Sequence, residues 1–141
     1  MAAQLTPETT EDEFKEFVRD SSDADLAALM NDQELRPQIV ARIFEIWCAA
    51  VLEPKTKKTD ATIHWQIGDE PDRWTMHVYR GTCTATPGPA DTRADVTFTL
   101  GDVAFLRLVA REVSGVQLLA TGKLRLKGNM LTAMRIDSWF D

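Results

Sequence analysis

The spacing of apolar and polar positions divides the chain near residue 60, with a helical period before it and an alternating one after. Thr10 followed by Glu13 is a capping-box signature, which predicts a helix over about 11 to 19 with Phe14, Phe17 and Val18 as its apolar stripe. Ser22 and Asp25 mark a second start ahead of Leu26, Leu29 and Met30, before "NDQELRP" interrupts. Pro37 suits the start of a third helix. Its apolar residues Ile39, Val40, Ile43, Phe44, Ile46, Trp47 and Val51 cover so much of the circumference that it is expected to be largely buried, stopping near Pro54.

After the polar linker "EPKTKKTD", Ile63, Trp65 and Ile67 alternate with Thr62, His64 and Gln66. "GDEPD" then turns the chain, and Trp74, Met76 and Val78 alternate with Thr75, His77 and Tyr79, which predicts a hairpin with one dry face. "GTCTATPGPAD" supplies a turn, a strand of small residues and a Pro/Gly loop; "ADVTFTL" alternates again with Val96, Phe98 and Leu100 inward. Gly101-Asp102 opens a helix containing Val103, Phe105, Leu106, Leu108 and Val109. Ser114-Gly115 punctuates it, and "VQLLAT" reads as an apolar turn. "GKLRLKGN" is a short strand between two glycines, with Leu124 and Leu126 on one face and Lys123, Arg125 and Lys127 on the other. Asn129 caps a last helix carrying Met130, Leu131, Met134, Ile136, Trp139 and Phe140.

The order is helices, an antiparallel meander of about four strands, a helix, one more strand and a terminal helix, an α+β domain. Both late helices are more apolar than one sheet face requires. With Val103, Leu106 and Leu131 assigned to packing on the sheet, surplus apolar surface remains at Phe105, Leu108, Leu118, Leu119, Met130, Met134, Trp139 and Phe140. Together with Val109, these are the candidate ligand-binding residues.

A length of 141 residues fits one domain: a flexible amino terminus over 1–10, a helical part over 11–53, and the sheet with its late helices over 61–140. Net charge is −6, concentrated in residues 1–35, which hold 10 acids against 2 bases. That balance argues against a nucleic-acid partner, which needs a clustered basic face. The bases near the end, Arg107, Arg111, Lys123, Arg125, Lys127 and Arg135, suit either an anionic headgroup or a solvated polar face. No run reaches the ~20 apolar residues of a membrane span, so no integral membrane association is expected. The opening "MAAQLTPETTEDEF" is acidic where a secretory signal is basic, and "SWFD" is no peroxisomal address; a cytoplasmic location is expected.

Searching for chemistry yields little. If Trp65 opposes Met76 across the hairpin, His64 opposes His77 on the same face, but two ligands make no metal site and no third is in view, so no metal is expected. Asp95 and Asp102 read as turn and cap residues. Cys48 and Cys83 lie on different patterns and read as buried thiols rather than a disulfide. There is no nucleophile elbow, phosphate loop or dinucleotide fingerprint.

Residues 61 to 140 resemble the sterol carrier protein type 2 family. The likeness is carried by "WTMHVYRG", by "ADVTFTL" with "GDVAFLRLVARE", and above all by "ATGKLRLKGNMLTAMRI", where the family usually has Gly-Asp in place of Gly128-Asn129. The resemblance implies a mostly antiparallel five-stranded sheet covered on one face by helices, enclosing an apolar tunnel for a fatty acid, fatty acyl-coenzyme A, sterol or other lipid. It implies neither catalytic residues nor a cofactor, and it admits a homodimer or a partner enzyme, since such domains also accompany alkyl sulfatases and acetyltransferases. A noncatalytic lipid carrier is therefore the leading expectation. The alternatives are a small enzyme using His64, His77 or Tyr79 for proton transfer and an interaction module whose apolar helix surface docks another chain.

Overall fold

Alternation becomes strand wherever one face can be buried, and five segments satisfy that condition in the computed structural model, which describes residues 9–68, 72–88 and 93–140. They are β1 (Asp60–Ile67), β2 (Asp72–Tyr79), β3 (Thr82–Pro87), β4 (Val96–Leu100) and β5 (Leu124–Gly128). The sheet runs in the order β3-β2-β1-β4-β5, antiparallel throughout except for the parallel pair β1–β4. Thus β1, β2 and β3 form the expected meander, but β4 does not extend it. It crosses back to the free edge of β1, where Val96, Phe98 and Leu100 stand beside Ile63, Trp65 and Ile67, all of them buried. An alternating pattern specifies the face of a strand, and not its neighbour or direction. The expected flexible start (residues 1–8), most of the "GDEPD" turn and most of the Pro/Gly loop lie outside the described residues.

The helices are α1 (Glu11–Asp20), α2 (Asp23–Met30), α3 (Leu35–Ala49), α4 (Glu53–Thr56), α5 (Asp102–Val109), α6 (Gly115–Ala120) and α7 (Met130–Arg135), the last followed by a 3₁₀ turn, Ile136–Trp139. Thr10 and Glu13 form the reciprocal capping box, and Ser22 caps α2 by accepting from the Asp25 amide. Helix α3 begins two residues before Pro37, because Asp32 Oδ1 accepts from the amides of Glu34 (3.0 Å) and Leu35 (3.1 Å). Pro37 still lies in the first turn, where a missing N–H leaves no gap in the ladder. Two segments read as irregular are helical: α4 inside the polar linker, and α6 in place of the apolar turn. Conversely, the last helix ends at Arg135 rather than running to Phe140.

The core is aromatic. Phe44 stacks on Trp74 with centroids 4.7 Å apart, Trp47 meets Trp65 at 4.8 Å, Trp65 stacks on Phe98 at 4.9 Å, and Phe105 lies 5.5 Å from Phe44. Phe14 and Val18 are buried with this cluster, so α1 covers core. Two arginines tie the layers. Arg36 spans the Met30 and Ile67 carbonyls (3.2 and 3.1 Å) and Asp102 (2.8 Å). Arg107, one of the bases offered to an anionic headgroup, instead joins α5 to the α1–α2 corner. It donates to Asp23 (2.8 Å), Glu112 (2.6 Å) and the carbonyls of Val18 (3.4 Å) and Ser21 (3.1 Å). The Asp23 hydrogen bond above all, and then Glu112, hold its guanidinium more firmly protonated than usual, against the opposing effect of burial.

Candidate functional site

The two glycines around β5 explain how a pocket is built. Gly128 has φ +118, and a Cβ there would stand 2.5 Å from the Asp95 carbonyl, so only glycine lets the chain pass. The Asn129 amide donates to that same carbonyl at 2.8 Å, and Asn129 Oδ1 accepts from the Thr132 amide at 3.1 Å, which starts α7 directly over β4 and β5. On the other side, Ser114 and Gln117 form a capping box that starts α6. Between these two short helices and the sheet lies a recessed pocket of ≈80 Å³. Its floor is Trp65, Phe98, Leu124 and Leu126, walled by Trp47 and Leu108. Its roof is Val116 and Leu119 from α6 with Met130, Ala133 and Met134 from α7.

Among the described residues, no charged side chain lines this pocket. Its floor is stiff, since Trp65 is 2% exposed and held in the aromatic cluster, whereas the roof is loose, with Met130 54% and Met134 71% exposed. The Trp65 indole N–H has no hydrogen-bond partner among the described residues, although it is buried. An unpaired buried donor costs about 1–3 kcal/mol, which an acceptor atom on a guest would relieve.

Of the nine candidate residues, Leu108, Leu119, Met130 and Met134 are brought together around the pocket. The other five lie elsewhere: Phe105 is packed among Phe44, Trp47 and Trp65, and Val109 and Leu118 are buried outside the lining. Trp139 and Phe140 anchor the chain end to α3, the Trp139 carbonyl accepting from the Leu52 amide (2.6 Å) and Phe140 bridging to Val51. Leu131, expected to pack on the sheet, is instead 68% exposed. Sequence reasoning left out Trp47, Trp65, Phe98 and the pair Leu124 and Leu126 as lining. The alternation of "GKLRLKGN" already set those two leucines on one face.

The other candidates dissolve into structure. The hairpin pairs Trp65 with Trp74 and His64 with Thr75, a slip of two residues from the expected register that keeps every face but separates the histidines. His77 Nε2 lies 2.8 Å from Asp60 Oδ1. Asp95 accepts from the Thr62 amide at 2.8 Å, and Asp102 pairs with Arg36. No group of three or more metal-ligating side chains occurs among the described residues. Cys48 and Cys83, read as separate, are free thiols brought side by side, both half-buried; the hydrogen bond to Cys48, then burial, push the Cys83 pKa far above the usual thiol range. A second, polar hollow is lined by Lys55, Lys57, Lys58, Asp60, Thr132 and Arg135.

Comparison with known proteins bears on the whole late part of the chain. Residues 40–141 match the profile of the SCP-2 sterol transfer family. An oleate-induced peroxisomal protein of Candida maltosa is 36% identical over 67 residues, 48% of this chain and 53% of that protein, so the chain spans about half the length of this relative. The sec-alkylsulfatase Pisa1 from Pseudomonas sp. shares the fold with a TM-score of 0.65 at 20% identity, over 71% of this chain and 16% of the sulfatase. Palmitated SCP2L2 from Aedes aegypti superimposes with a TM-score of 0.56 at 20% identity, over 69% of this chain and 86% of that one.

Proposed function

The chain belongs to the SCP-2 sterol transfer family, a family of lipid-binding domains, and from that premise we propose that it is a noncatalytic carrier that shields one apolar molecule from water in the pocket under α6 and α7. The observation that carries this is a charge-free recess with a rigid aromatic floor and a deformable roof. Each methylene moved from water into such surroundings gains roughly 0.8 kcal/mol before ordering costs are subtracted. The closed pocket, at ≈80 Å³, is smaller than the ~150 Å³ that suffices for benzene in an apolar cavity, so a long-chain guest enters by displacing α6 and α7. Met130 and Met134 suit that role, because an unbranched thioether chain repacks around different shapes.

The ligand class we assign is a fatty acid, its acyl thioester or a sterol, supported by the palmitated state of the Aedes aegypti relative. Absence of catalysis is supported by the alternation of β1 and β2, which turns His64, His77 and Tyr79 to the sheet face away from the pocket. No helix of the described residues is long and apolar enough to cross a membrane. The peroxisomal relative supports that organelle as a location beside the expected cytoplasm; microscopy of a tagged full chain separates the two.

Titration with a fluorescent fatty acid tests the function. We expect one saturable site and a change in tryptophan emission from Trp47 and Trp65, which line the recess. A linear, non-saturating response with unchanged emission would sink the proposal.

A further inference from the structure

Strand β3 is the edge of the sheet opposite β5, and it is lightly held. It gives the core two small side chains, Cys83 and Ala85, which the register sets beside the buried Val78 and Met76, while Thr82, Thr84 and Thr86 are exposed. Helix α3 is what packs over it. Phe44 of that helix stacks on Trp74 of β2 at 4.7 Å, and one turn further along the same stripe stands Cys48. Cys48 and Cys83 line one hollow of ≈480 Å³, together with Glu45, Trp74 and Ala85. They are the two cysteines of the chain; both are free and half-buried, and the hollow opens them to small molecules from solvent.

We propose that Cys48 and Cys83 are a dithiol site that a small-molecule disulfide converts reversibly into an intramolecular disulfide, stapling edge strand β3 to α3. Cys48 is the attacking sulfur, because the hydrogen bond between the thiols keeps the proton on Cys83. The Cys48 thiolate attacks one sulfur of the reagent, forming a mixed disulfide and releasing a first thiolate. Cys83 gives its proton to that thiolate and attacks Cys48 Sγ; the second thiolate leaves and takes up the proton that Cys48 gave up. Two protein thiols are thereby oxidised, and one reagent disulfide is reduced to two thiols. The staple closes a loop of about 35 residues, which restricts the unfolded chain and raises the folding constant on the order of several hundredfold. It also fixes an edge strand, the part of a sheet most open to pairing with other chains. The site is independent of the carrier function, since it shares no lining residue with the lipid pocket among the described residues.

The test is treatment of the reduced full chain with oxidised glutathione, followed by intact mass and peptide mapping. The monomer is expected to lose two hydrogens, its Cys48 and Cys83 peptides to become linked, and dithiothreitol to reverse both. Urea unfolding of the oxidised chain is expected to show the gain of several hundredfold, on the order given by loop closure, and β3 amides are expected to exchange more slowly. In Cys83→Ser the attacking sulfur has no resolving partner, so a single glutathione adduct on Cys48 is expected to persist. Cys48→Ser is expected to take up glutathione about tenfold more slowly than Cys83→Ser, since burial keeps Cys83 protonated. The reverse order of rates would overturn the assignment of Cys48 as the attacking sulfur. A parent chain that stays reduced or stops at glutathione adducts, a disulfide formed between two molecules, or a linked chain no more stable than the reduced one would each overturn the proposal.

Discussion

Filling the pocket from within separates a ligand site from a mere packing defect. Ala133 is half-buried on α7 and contributes to the roof, so Ala133→Leu places an isobutyl group where a guest is proposed to lie. An unfilled apolar cavity costs about 24 cal/mol per Å³, so ≈80 Å³ represents at most about 2 kcal/mol of lost packing. Part of that is recovered by the larger side chain, and denaturant unfolding of the variant is expected to show a stability equal to or up to about 1 kcal/mol above the parent. Ligand binding moves the other way. Loss of space for roughly three methylenes, at ~0.8 kcal/mol each, is about 2.4 kcal/mol, or an affinity some fiftyfold lower in the fatty-acid titration. Parent-like affinity together with raised stability would refute the assignment, because the recess would then be filled without competing with the guest. A loss of stability beyond about 2 kcal/mol would show instead that the roof cannot yield.

Further outcomes follow from particular contacts. Trp65→Phe is expected to weaken a ligand bearing a carboxylate or hydroxyl by about 1 kcal/mol more than a hydrocarbon of equal length, read from paired titrations, if the lone indole N–H meets the guest. Gly128→Ala, which puts a Cβ 2.5 Å from a backbone oxygen, is expected to cost several times more stability in urea than Gly122→Ala, where a left-handed φ of +75 is strained at about 1 kcal/mol but the space is open. Arg107→Ala is expected to cost about 2 kcal/mol, since four acceptors lose their donor. Because folding raises the Cys83 pKa, the folded chain retains a proton that the unfolded chain releases above about 8.5; stability is therefore full below that pH and falls as pH rises further, and urea unfolding of Cys83→Ser is expected to show a shallower fall.

What the sequence disclosed were features that need only near neighbours. Thr10 with Glu13, Ser22 with Asp25, and Asn129 act as caps because each satisfies an amide three residues away. The dry face of the hairpin was legible in the same way. The register was not, because a slip of two residues keeps Trp65 and His64 on their own faces, and only the turn fixes the pairing. The parallel placement of β4 depends on which edge of β1 is free, a property of the assembled sheet. The helix α6 did carry a signal, Ser114 followed by Gln117, that the apolar run after it concealed. Surplus apolar surface on the late helices pointed to a site, yet Phe105, Trp139 and Phe140 are used up by α3 and its end, contacts formed by residues far apart in the chain.

Helix α7 is fastened at both ends, by the Asn129 amide on the Asp95 carbonyl and by Trp139 and Phe140 against the end of α3, while its Met130, Leu131 and Met134 stand exposed. A span of six residues held this way is able to bow outward without releasing the sheet. On the proposed carrier function, the residence time of a guest is expected to follow the opening of that span, and amide exchange at Met130–Arg135 is the measurement that checks it. Substitutions that raise the melting temperature through the aromatic cluster would leave uptake and release as fast as before.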